Sequence, residues 1–314
     1  MTAPRHIARV VLWMTGALLS FSVLAVSIRA LSATLSIMEI LAVRAALGLV
    51  IIGAVVAARP ELRHTIGAGR LGLHVLRNTV HFTSQYLWAM SLLLLPLATV
   101  FALEFTMPAW TILLAPAFLG ERMTTSRIGA VVHGLAGVLV ILRPGIAAFQ
   151  PAALIVLDAA FGYGAQNIAT KKLTMTESTI AIVFWMNVIQ LILALIMLTF
   201  LGAGFRFVGK ISTDLLPAIA GLGTAGLFAH YCLSNAFRAG DASLVVPLDF
   251  LRIPLIAVVG WWLYAEPLDV FVFAGAGLII TGIVWNLRSE ARRPIVIPTP
   301  SAAAGTEATR VKLG

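Results

Sequence analysis

The stretch LEF at Leu103–Phe105 places a carboxylate inside a long apolar run, and LDF at Leu248–Phe250 does the same later in the chain. The two acids, Glu104 and Asp249, lie 145 positions apart. A charge buried among apolar residues is costly, so its recurrence needs a reason. The simplest reason is that one structural unit occurs twice in this chain and that its buried acid was duplicated with it.

Further residues repeat at the same offset, without gaps between positions 86 and 137. The matched pairs are Tyr86 and Tyr231, Val100 and Val245, Leu103 and Leu248, Phe105 and Phe250, Glu121 and Glu266, and Gly137 and Gly282. They include aromatic, acidic and glycine residues as well as the common Leu and Val. The repeat therefore does not depend on apolar composition alone.

The composition indicates a membrane protein. Hydrophobic residues make up 60% of the 314 positions and charged residues 11%, whereas a soluble domain has about 45–50% and about 25%. A helix needs about 20 apolar residues to cross a bilayer. Ten such runs are found, at 10–29, 36–58, 72–91, 95–118, 126–142, 151–170, 179–202, 214–236, 243–264 and 268–287.

The runs predict helices rather than the strands of a membrane β-barrel. Barrel strands are about ten residues long and alternate in polarity, but VFWMNVIQLILALIMLTFLGA at 183–203 is continuous and too long. The first run also has a weak resemblance to a signal peptide, although the repeat requires it as a helix. The single cysteine, Cys232, excludes a disulfide within the chain and suggests no metal cluster.

An offset of 145 residues spans five helices, and an odd number turns the second copy upside down in the membrane. The sequence thus predicts an all-α integral membrane protein with ten transmembrane helices in two inverted five-helix repeats. The first repeat covers residues 10–145 and the second 151–288. Residues 289–314 are predicted to be a disordered cytoplasmic tail, rich in Pro, Ala, Thr and Gly.

The net charge of +9 predicts orientation rather than nucleic-acid binding, because basic residues concentrate in short cytoplasmic loops. One side of the predicted topology carries Arg29, Arg143, Arg206 and Lys210. The other carries Arg5, Arg9, Arg59, Arg63, Arg70, Arg122, Arg127, Lys171, Lys172, Arg238, Arg288, Arg292 and Arg293. We therefore expect both termini in the cytoplasm and the chain in a bacterial inner or plasma membrane.

Charged residues inside the runs are the candidates for a site. Arg44 and Arg252 are expected to bind a substrate carboxylate, because the planar guanidinium makes two hydrogen bonds with one. Glu104 and Asp249 are expected to bind an amine or to carry a proton. A purely structural role stays open, with Asp249 neutralised by Arg252 three positions on and Glu104 by Arg44.

The two acids are not expected to be equivalent. Arg252 favours the charged form of Asp249, whereas Glu104 has no basic residue within a turn or two on its own helix. Glu104 is therefore the candidate for proton coupling. Three aromatic residues, Tyr86, Trp110 and Tyr231, are predicted to wall the substrate cavity.

Several other polar residues are assigned structural roles. His81, His133 and His230 are expected to hydrogen-bond or pack against neighbouring helices, and Glu121 is expected to be a solvated helix cap. Prolines in the fourth and ninth runs, such as Pro108 and Pro254, permit kinks beside the buried acids.

Both spans with acids lie in segments that resemble a known family. FLGERMTTSRIGAVVHGLAGVLVILRPG at 118–145 and PLDFLRIPLIAVVGWWLYAEPLDVFVFAGAGLIITGIVW at 247–285 are similar to the EamA-type repeats of the drug/metabolite transporter superfamily. EILAVRAALGL at 39–49 resembles the second span of that family. The second copy departs by reading AEP where the first reads GER. The resemblance implies ten helices in two five-helix repeats, no ATP hydrolysis, and export or exchange of small metabolites such as amino acids.

The sequence thus predicts a secondary transporter of a small polar, amino-acid-like or amphoteric metabolite, working by alternating access as an exporter. Uptake or exchange of a metabolite or vitamin is the alternative. A membrane enzyme is disfavoured because neither H-E-x-x-H nor G-x-S-x-G occurs, and ATP-driven transport because the phosphate-binding loop motif is missing. A channel would not require inverted repeats. The expected partners are the substrate, the lipid bilayer and protons, with no cofactor, metal or nucleic acid, and a homodimer is left open.

Overall fold

The computed structural model describes residues 3–91, 94–95, 97–143, 150–200, 206–265 and 268–292. Within them the regular secondary structure is entirely helical, as the sequence predicts. Glu266 and the part of the predicted tail beyond Arg292 lie outside these residues. The α-helices are α1 (Ala3–Leu31), α2 (Ile37–Ala58), α3 (Leu71–Ser91), α4 (Leu97–Glu104), α5 (Met107–Leu119), α6 (Thr125–Leu142), α7 (Ala153–Thr174), α8 (Thr179–Phe200), α9 (Leu216–Ala239), α10 (Ala242–Val245), α11 (Arg252–Tyr264) and α12 (Val270–Ala291).

Eight helical segments of the described chain are long and apolar enough to cross a membrane. They are His6–Leu31, Ile37–Ala58, Thr99–Leu119, Thr125–Leu142, Thr179–Phe200, Thr213–Ala239, Ala242–Tyr264 and Val270–Ala291. Apolar side chains on their outer surfaces, such as Phe200 and Trp262, are largely exposed, as expected for groups that face lipid. The chain is therefore an all-α, multi-pass membrane protein.

Helices α3 and α7 have 21 and 22 residues and are more polar than the other long helices. They pack extensively against each other. Their polar side chains are buried, including His74, Arg77 and His81 on α3 and Gln166 and Thr170 on α7. Buried polar groups need hydrogen-bond partners, so these two helices bring a polar seam into the interior of the protein.

The helices that carry the two acids are broken at the acids. Helix α4 ends at Glu104 and α5 begins at Met107. Pro108 lacks the N–H that would bond the carbonyl of Glu104 in a continuous helix. In the second half, α10 leads into a 3-10 segment, Val246–Leu251, that contains Asp249, and α11 begins at Arg252. The proline-rich spans therefore bend where the sequence places a carboxylate.

The helix boundaries repeat at the offset that relates the two acids. Helices α5 and α11 both have 13 residues and begin 145 positions apart. The starts of α3 and α9, and those of α6 and α12, are separated by the same distance. Gly120 after α5 and Ala265 after α11 both adopt the left-handed conformation, with φ of 67° and 53°. The local structure of the second half thus reproduces that of the first.

Helix packing follows the same relationship. The most extensive contacts join α1 with α9, α3 with α7, α6 with α12, and α2 with α8. In the exchange of the two halves, α1 corresponds to α7 and α3 to α9, so the α1–α9 pair becomes the α7–α3 pair. The α6–α12 and α2–α8 pairs each join corresponding helices and stay the same. At the crossing of α6 and α12, a Cβ added to Gly137 would lie 2.6 Å from the carbonyl oxygen of Gly275. A Cβ added to Gly275 would lie equally close to the carbonyl oxygen of Gly137, at 2.6 Å. Glycine lets the two backbones approach closely there.

Candidate functional site

The broken helices bring Glu104 and Asp249 to the same arginine. Nη2 of Arg252 lies 3.0 Å from Oδ2 of Asp249 and 3.4 Å from Oε1 of Glu104. The other oxygen of Glu104, Oε2, accepts a 2.8 Å hydrogen bond from Nε1 of Trp88. Both acids are only 8% exposed. We call Glu104, Asp249, Arg252 and Trp88 the acidic cluster, since it contains two carboxylates and one cation.

Arg252 also contacts two aromatic rings. Its guanidinium lies over the rings of Phe105 and Phe21, with Cζ 4.8 and 5.5 Å from the two centroids, within the range of cation–π attraction. Its Nε has no hydrogen-bond partner among the described residues. The side chain is 25% exposed. Arg252 thus holds both acids, while its Nε is buried without a described partner.

Arg44 occupies a different environment from the one considered in the sequence analysis. Its Nη2 donates to Oε1 of Gln190 at 2.6 Å, and the described residues show no ion pair between Arg44 and Glu104. Nε2 of Gln190 lies 2.8 Å from Nδ1 of His81. The rings of His81 and His230 are 5.3 Å apart at an interplanar angle of 64°. Arg44 thus begins a chain of polar groups that connects α2, α8, α3 and α9.

Arg77 lies one turn before His81 on α3 and is 1% exposed. Its Nε donates to Oγ1 of Thr170 at 3.1 Å and its Nη1 to Oδ1 of Asn78 at 2.5 Å. When the Gln166 amide is oriented by its partners, its oxygen accepts from Nη2 of Arg77 at 2.9 Å. We call Arg44, Arg77, His81, His230 and Gln190 the basic cluster.

Two aromatic residues separate the two clusters. The ring of Tyr163 lies 5.8 Å from that of His81, and this residue packs against the apolar cluster that contains Phe105 and Phe250. The ring of Phe21 lies 5.8 Å from that of His230 and also faces Arg252. The acidic and basic clusters are therefore neighbours, with apolar ring surface between them.

Of the three aromatic residues predicted as cavity walls, Trp110 and Tyr231 have described ring contacts, none of them with a member of either cluster. Trp110 packs edge-on against Phe161 at 5.6 Å, and its Nε1 is buried without a described partner. Tyr231 contacts Trp13 and Phe228 at 5.9 and 6.3 Å. Tyr86 is 37% exposed. The sequence analysis did not assign Arg77, Gln190, Trp88 or Tyr163 to the site; for the first two, a polar side chain within an apolar run was the available signal.

Glu121 is not the solvated cap that the sequence favoured. Its carboxylate accepts hydrogen bonds from the backbone N–H groups of Ala242 and Ser243 at 2.7 and 2.9 Å. It therefore caps α10, a helix in the other half of the chain. The separation of 121 residues between Glu121 and Ala242 explains why local sequence patterns did not predict this contact. His133, in contrast, contacts the Gly129 carbonyl at 2.8 Å and packs on Trp285, as expected.

Arg127 ties the same end of the protein together. Its guanidinium is 3% exposed and lies 2.8 Å from Asp241 and 3.0 Å from Glu290. It also donates to Oγ of Ser243 at 2.5 Å. This ionic cluster joins α6, α10 and α12 at the arginine-rich end. It lies beside Glu121, where the first broken helix has ended and α10 begins.

A family model provides the decisive comparison. The model of the EamA-like transporter family matches residues 8–143 and again residues 150–288. The chain belongs to the EamA-like transporter family. The family is part of the drug/metabolite transporter superfamily, so the resemblance noted in the sequence is confirmed, and this EamA-like protein is a transporter and not an enzyme.

Named relatives of this EamA-like transporter carry different small metabolites. It is 32% identical over 237 residues to the riboflavin transporter of Rhizobium johnstonii, covering 71% of this chain and 76% of that protein. It is 26% identical over 231 residues to the S-adenosylmethionine uptake transporter of Rickettsia felis, covering 73% and 76%. It is 25% identical over 273 residues to the pseudopaline exporter of Pseudomonas aeruginosa, covering 86% and 93%. The EamA-like transporter is accordingly a transporter of small metabolites.

A solved structure supports the fold of the EamA-like transporter. A chain titled "Crystal structure of protein" superposes with a TM-score of 0.77 and covers 91% of this chain and 98% of its own length. The sequence identity is 17%, so the likeness concerns the fold alone.

Proposed function

We propose that this EamA-like transporter is a reversible secondary carrier of an amphoteric metabolite, one that bears both a cationic and an anionic group. One observation carries the proposal: a cluster with two carboxylates and a cluster with two arginines lie side by side, and the ring of Phe21 contacts both His230 and Arg252. A substrate cation would bind Glu104 and Asp249 beside Arg252, and a substrate anion would bind Arg44 in the basic cluster. The aromatic rings would contact the apolar part between the charges.

The carrier would work by alternating access. Ten membrane helices would form two inverted repeats, covering residues 10–145 and 151–288, with both termini in the cytoplasm. Supporting this arrangement are the helix boundaries that recur at an offset of 145 and the helix pairs that are preserved when the halves are exchanged. In inverted-repeat transporters the substrate lies at the interface of the repeats and the two copies exchange roles. Net direction would follow the gradients, and both uptake transporters and an exporter occur among the relatives.

Transport into sealed vesicles tests the proposal. We would measure uptake of radiolabelled S-adenosylmethionine, riboflavin and neutral amino acids into proteoliposomes that contain the purified protein. S-adenosylmethionine and amino acids combine a carboxylate with a cationic group, so at least one of them should accumulate faster than in protein-free vesicles. The Glu104→Gln and Arg44→Gln variants should lose this uptake by tenfold or more. The exposed Arg122 serves as a control, and Arg122→Gln should retain it.

Uptake of a neutral, vitamin-like compound is the second candidate. It is favoured by the 32% identity with the riboflavin transporter and by the aromatic rings of Phe21 beside Arg252 and Trp88 beside Glu104, on which a flat ring could stack. Riboflavin uptake without uptake of any amphoteric compound would establish this candidate and reject the first. Failure of every compound, together with normal folding, would argue against both.

A further inference from the structure

The basic cluster contains two buried guanidinium groups without an acidic partner in the described residues. Arg44 is 5% exposed and bonds an amide oxygen of Gln190. Arg77 is 1% exposed, and its acceptors are the oxygens of Thr170, Asn78 and Gln166. All of these acceptors are neutral.

Such an arrangement is unfavourable for the empty protein. Removing an ion from water costs several kcal/mol, and neutral dipoles offset only part of that cost. Arginine does not escape the cost by losing its proton, because it remains protonated in proteins. By contrast, Arg252, which is 25% exposed, pairs with two carboxylates, and the buried Arg127 pairs with Asp241 and Glu290. Arg44 and Arg77 differ from both in having no carboxylate partner among the described residues.

A second observation points to a ligand at the same place. His230 is 6% exposed, and its Nδ1 has no hydrogen-bond partner in the described part of the protein. Its ring lies 5.3 Å from that of His81, which belongs to the Arg44–Gln190 chain. A buried polar atom without a partner costs about 1–3 kcal/mol. A bound group with hydrogen-bonding capacity would remove this cost together with that of the unpaired charges.

We infer that Arg44 and Arg77, with His81 and His230, form an anion subsite for an oxyanion group of the transported molecule, a carboxylate or a phosphate. The inference rests on the proposed carrier function and specifies one end of its substrate. Arginine suits both groups because its planar fork binds two oxygens at once. The acidic cluster lies beyond Tyr163 and Phe21, so the oxyanion and any cationic group of the same molecule would be held apart by ring surface.

Thermal unfolding of the purified full-length protein in neutral detergent tests the subsite directly. Its midpoint would be followed by tryptophan fluorescence in acetate, inorganic phosphate, acetamide and chloride, with salts at matched ionic strength. Acetate or phosphate should raise the midpoint by about 2 °C or more in a saturable manner, because binding to the folded state stabilises it. Acetate without phosphate would identify a carboxylate site, and the reverse a phosphate site. An equal effect of acetamide or chloride in the wild type would by itself overturn the inference.

Variants locate the effect. Arg77→Gln and Arg44→Gln should abolish the shift, whereas Arg143→Gln should keep it, since Arg143 is 54% exposed and pairs with Asp269. If the glutamine variants fail to fold, Arg77→Lys is the alternative, because it keeps the positive charge but lacks the planar guanidinium that binds two oxygens. It should weaken the apparent affinity for acetate or phosphate at least threefold. A full shift in Arg77→Gln or an unchanged affinity in Arg77→Lys would contradict the inference. Transport in vesicles is measured separately from thermal unfolding. If the protein transports a substrate but neither acetate nor phosphate raises its unfolding midpoint, the subsite is refuted and the carrier function is not.

Discussion

Phe105 and Phe250 lie 145 positions apart in the sequence and face each other in the structure, with ring centroids 6.1 Å apart at 32°. They are 2% and 0% exposed. Each follows its acid directly, so the contact between the rings also brings Glu104 and Asp249 to the same guanidinium. Contact between equivalent residues of two copies is expected only near the axis that relates them. This position fits the proposal that substrate binds at the acidic cluster, between two exchanging halves.

The two acids of the cluster should respond differently to neutralisation. Asp249 lies closer to Arg252 than Glu104 does, at 3.0 against 3.4 Å, and burial disfavours a charge that is less well paired. We expect Glu104→Gln to abolish the pH dependence of transport or proton-driven accumulation while exchange persists. Asp249→Asn should lower the rate and keep the pH profile. The measurement is vesicle transport between pH 5 and 8, and an unchanged profile in Glu104→Gln would leave Glu104 without a role in proton coupling.

Substituting the residues that follow α5 and α11, as Gly120→Ala and Ala265→Gly, should change the stability of the protein in opposite directions. Gly120 and Ala265 have φ of 67° and 53°, a region that costs a residue with a Cβ about 1–2 kcal/mol. Ala265→Gly should therefore increase the free energy of unfolding by about 1 kcal/mol, and Gly120→Ala should decrease it by about the same amount. The midpoint of thermal unfolding should rise in the first variant and fall in the second. A lower midpoint for Ala265→Gly would show that the backbone at this position is not strained.

The crossing of α6 and α12 should not tolerate a methyl group. A Cβ on Gly275 would lie 2.6 Å from the carbonyl oxygen of Gly137, whereas a Cβ on Gly277 would meet no atom within 4 Å. Gly275→Ala should destabilise the protein by about 1–3 kcal/mol, as overpacking does. Gly277→Ala, on the same helix, is the matched control and should be neutral or slightly stabilising. Equal midpoints for the two variants in a thermal melt would contradict the close approach.

Removing Arg127 should loosen the arginine-rich end. Its guanidinium is 3% exposed and pairs with Glu290, whose side chain is 10% exposed, and with the half-exposed Asp241. Breaking such partly exposed pairs costs less than the roughly 3–5 kcal/mol of a fully buried pair. Arg127→Ala should lower the unfolding midpoint and increase the labelling of a cysteine placed at Ser243, which Arg127 contacts. Arg122→Ala, at an exposed position, should do neither. Unchanged labelling of the cysteine at position 243 would mean that Arg127 does not restrict access of the reagent to this end of the protein.

The proposed orientation is tested by labelling from outside the cell. Cys232 is 1% exposed and can be replaced by serine to remove the background. A cysteine at Leu268 should react with an impermeant maleimide, because it lies on the side with few arginines. A cysteine at Thr176, which is exposed and close to Lys171 and Lys172, should react only after permeabilisation. The reverse pattern would invert the topology and contradict the argument from charge.

Much of the architecture follows from the sequence by itself. Apolar length identifies membrane helices because the bilayer thickness sets how long they must be. The prolines and the repeated offset predict where the acid-bearing helices break, and Glu104 and Asp249 do lie at those breaks. These features are local: each depends on a residue's own backbone or on the thickness of the surrounding membrane, so a linear pattern is enough to reveal them.

The pairing of the long side chains was decided only by the tertiary structure. Arg252 reaches Glu104 across 148 positions, and Arg44 binds Gln190 across 146 rather than the acid considered for it. Arg77 is a candidate for the site because α7 packs beside α3 and places Thr170 and Gln166 at hydrogen-bond distance from its guanidinium. The physical reason is reach: a guanidinium can turn toward any neighbouring helix, and helix packing alone decides which acceptors are there. The sequence therefore determined which charges are buried, and the fold determined which of them are paired.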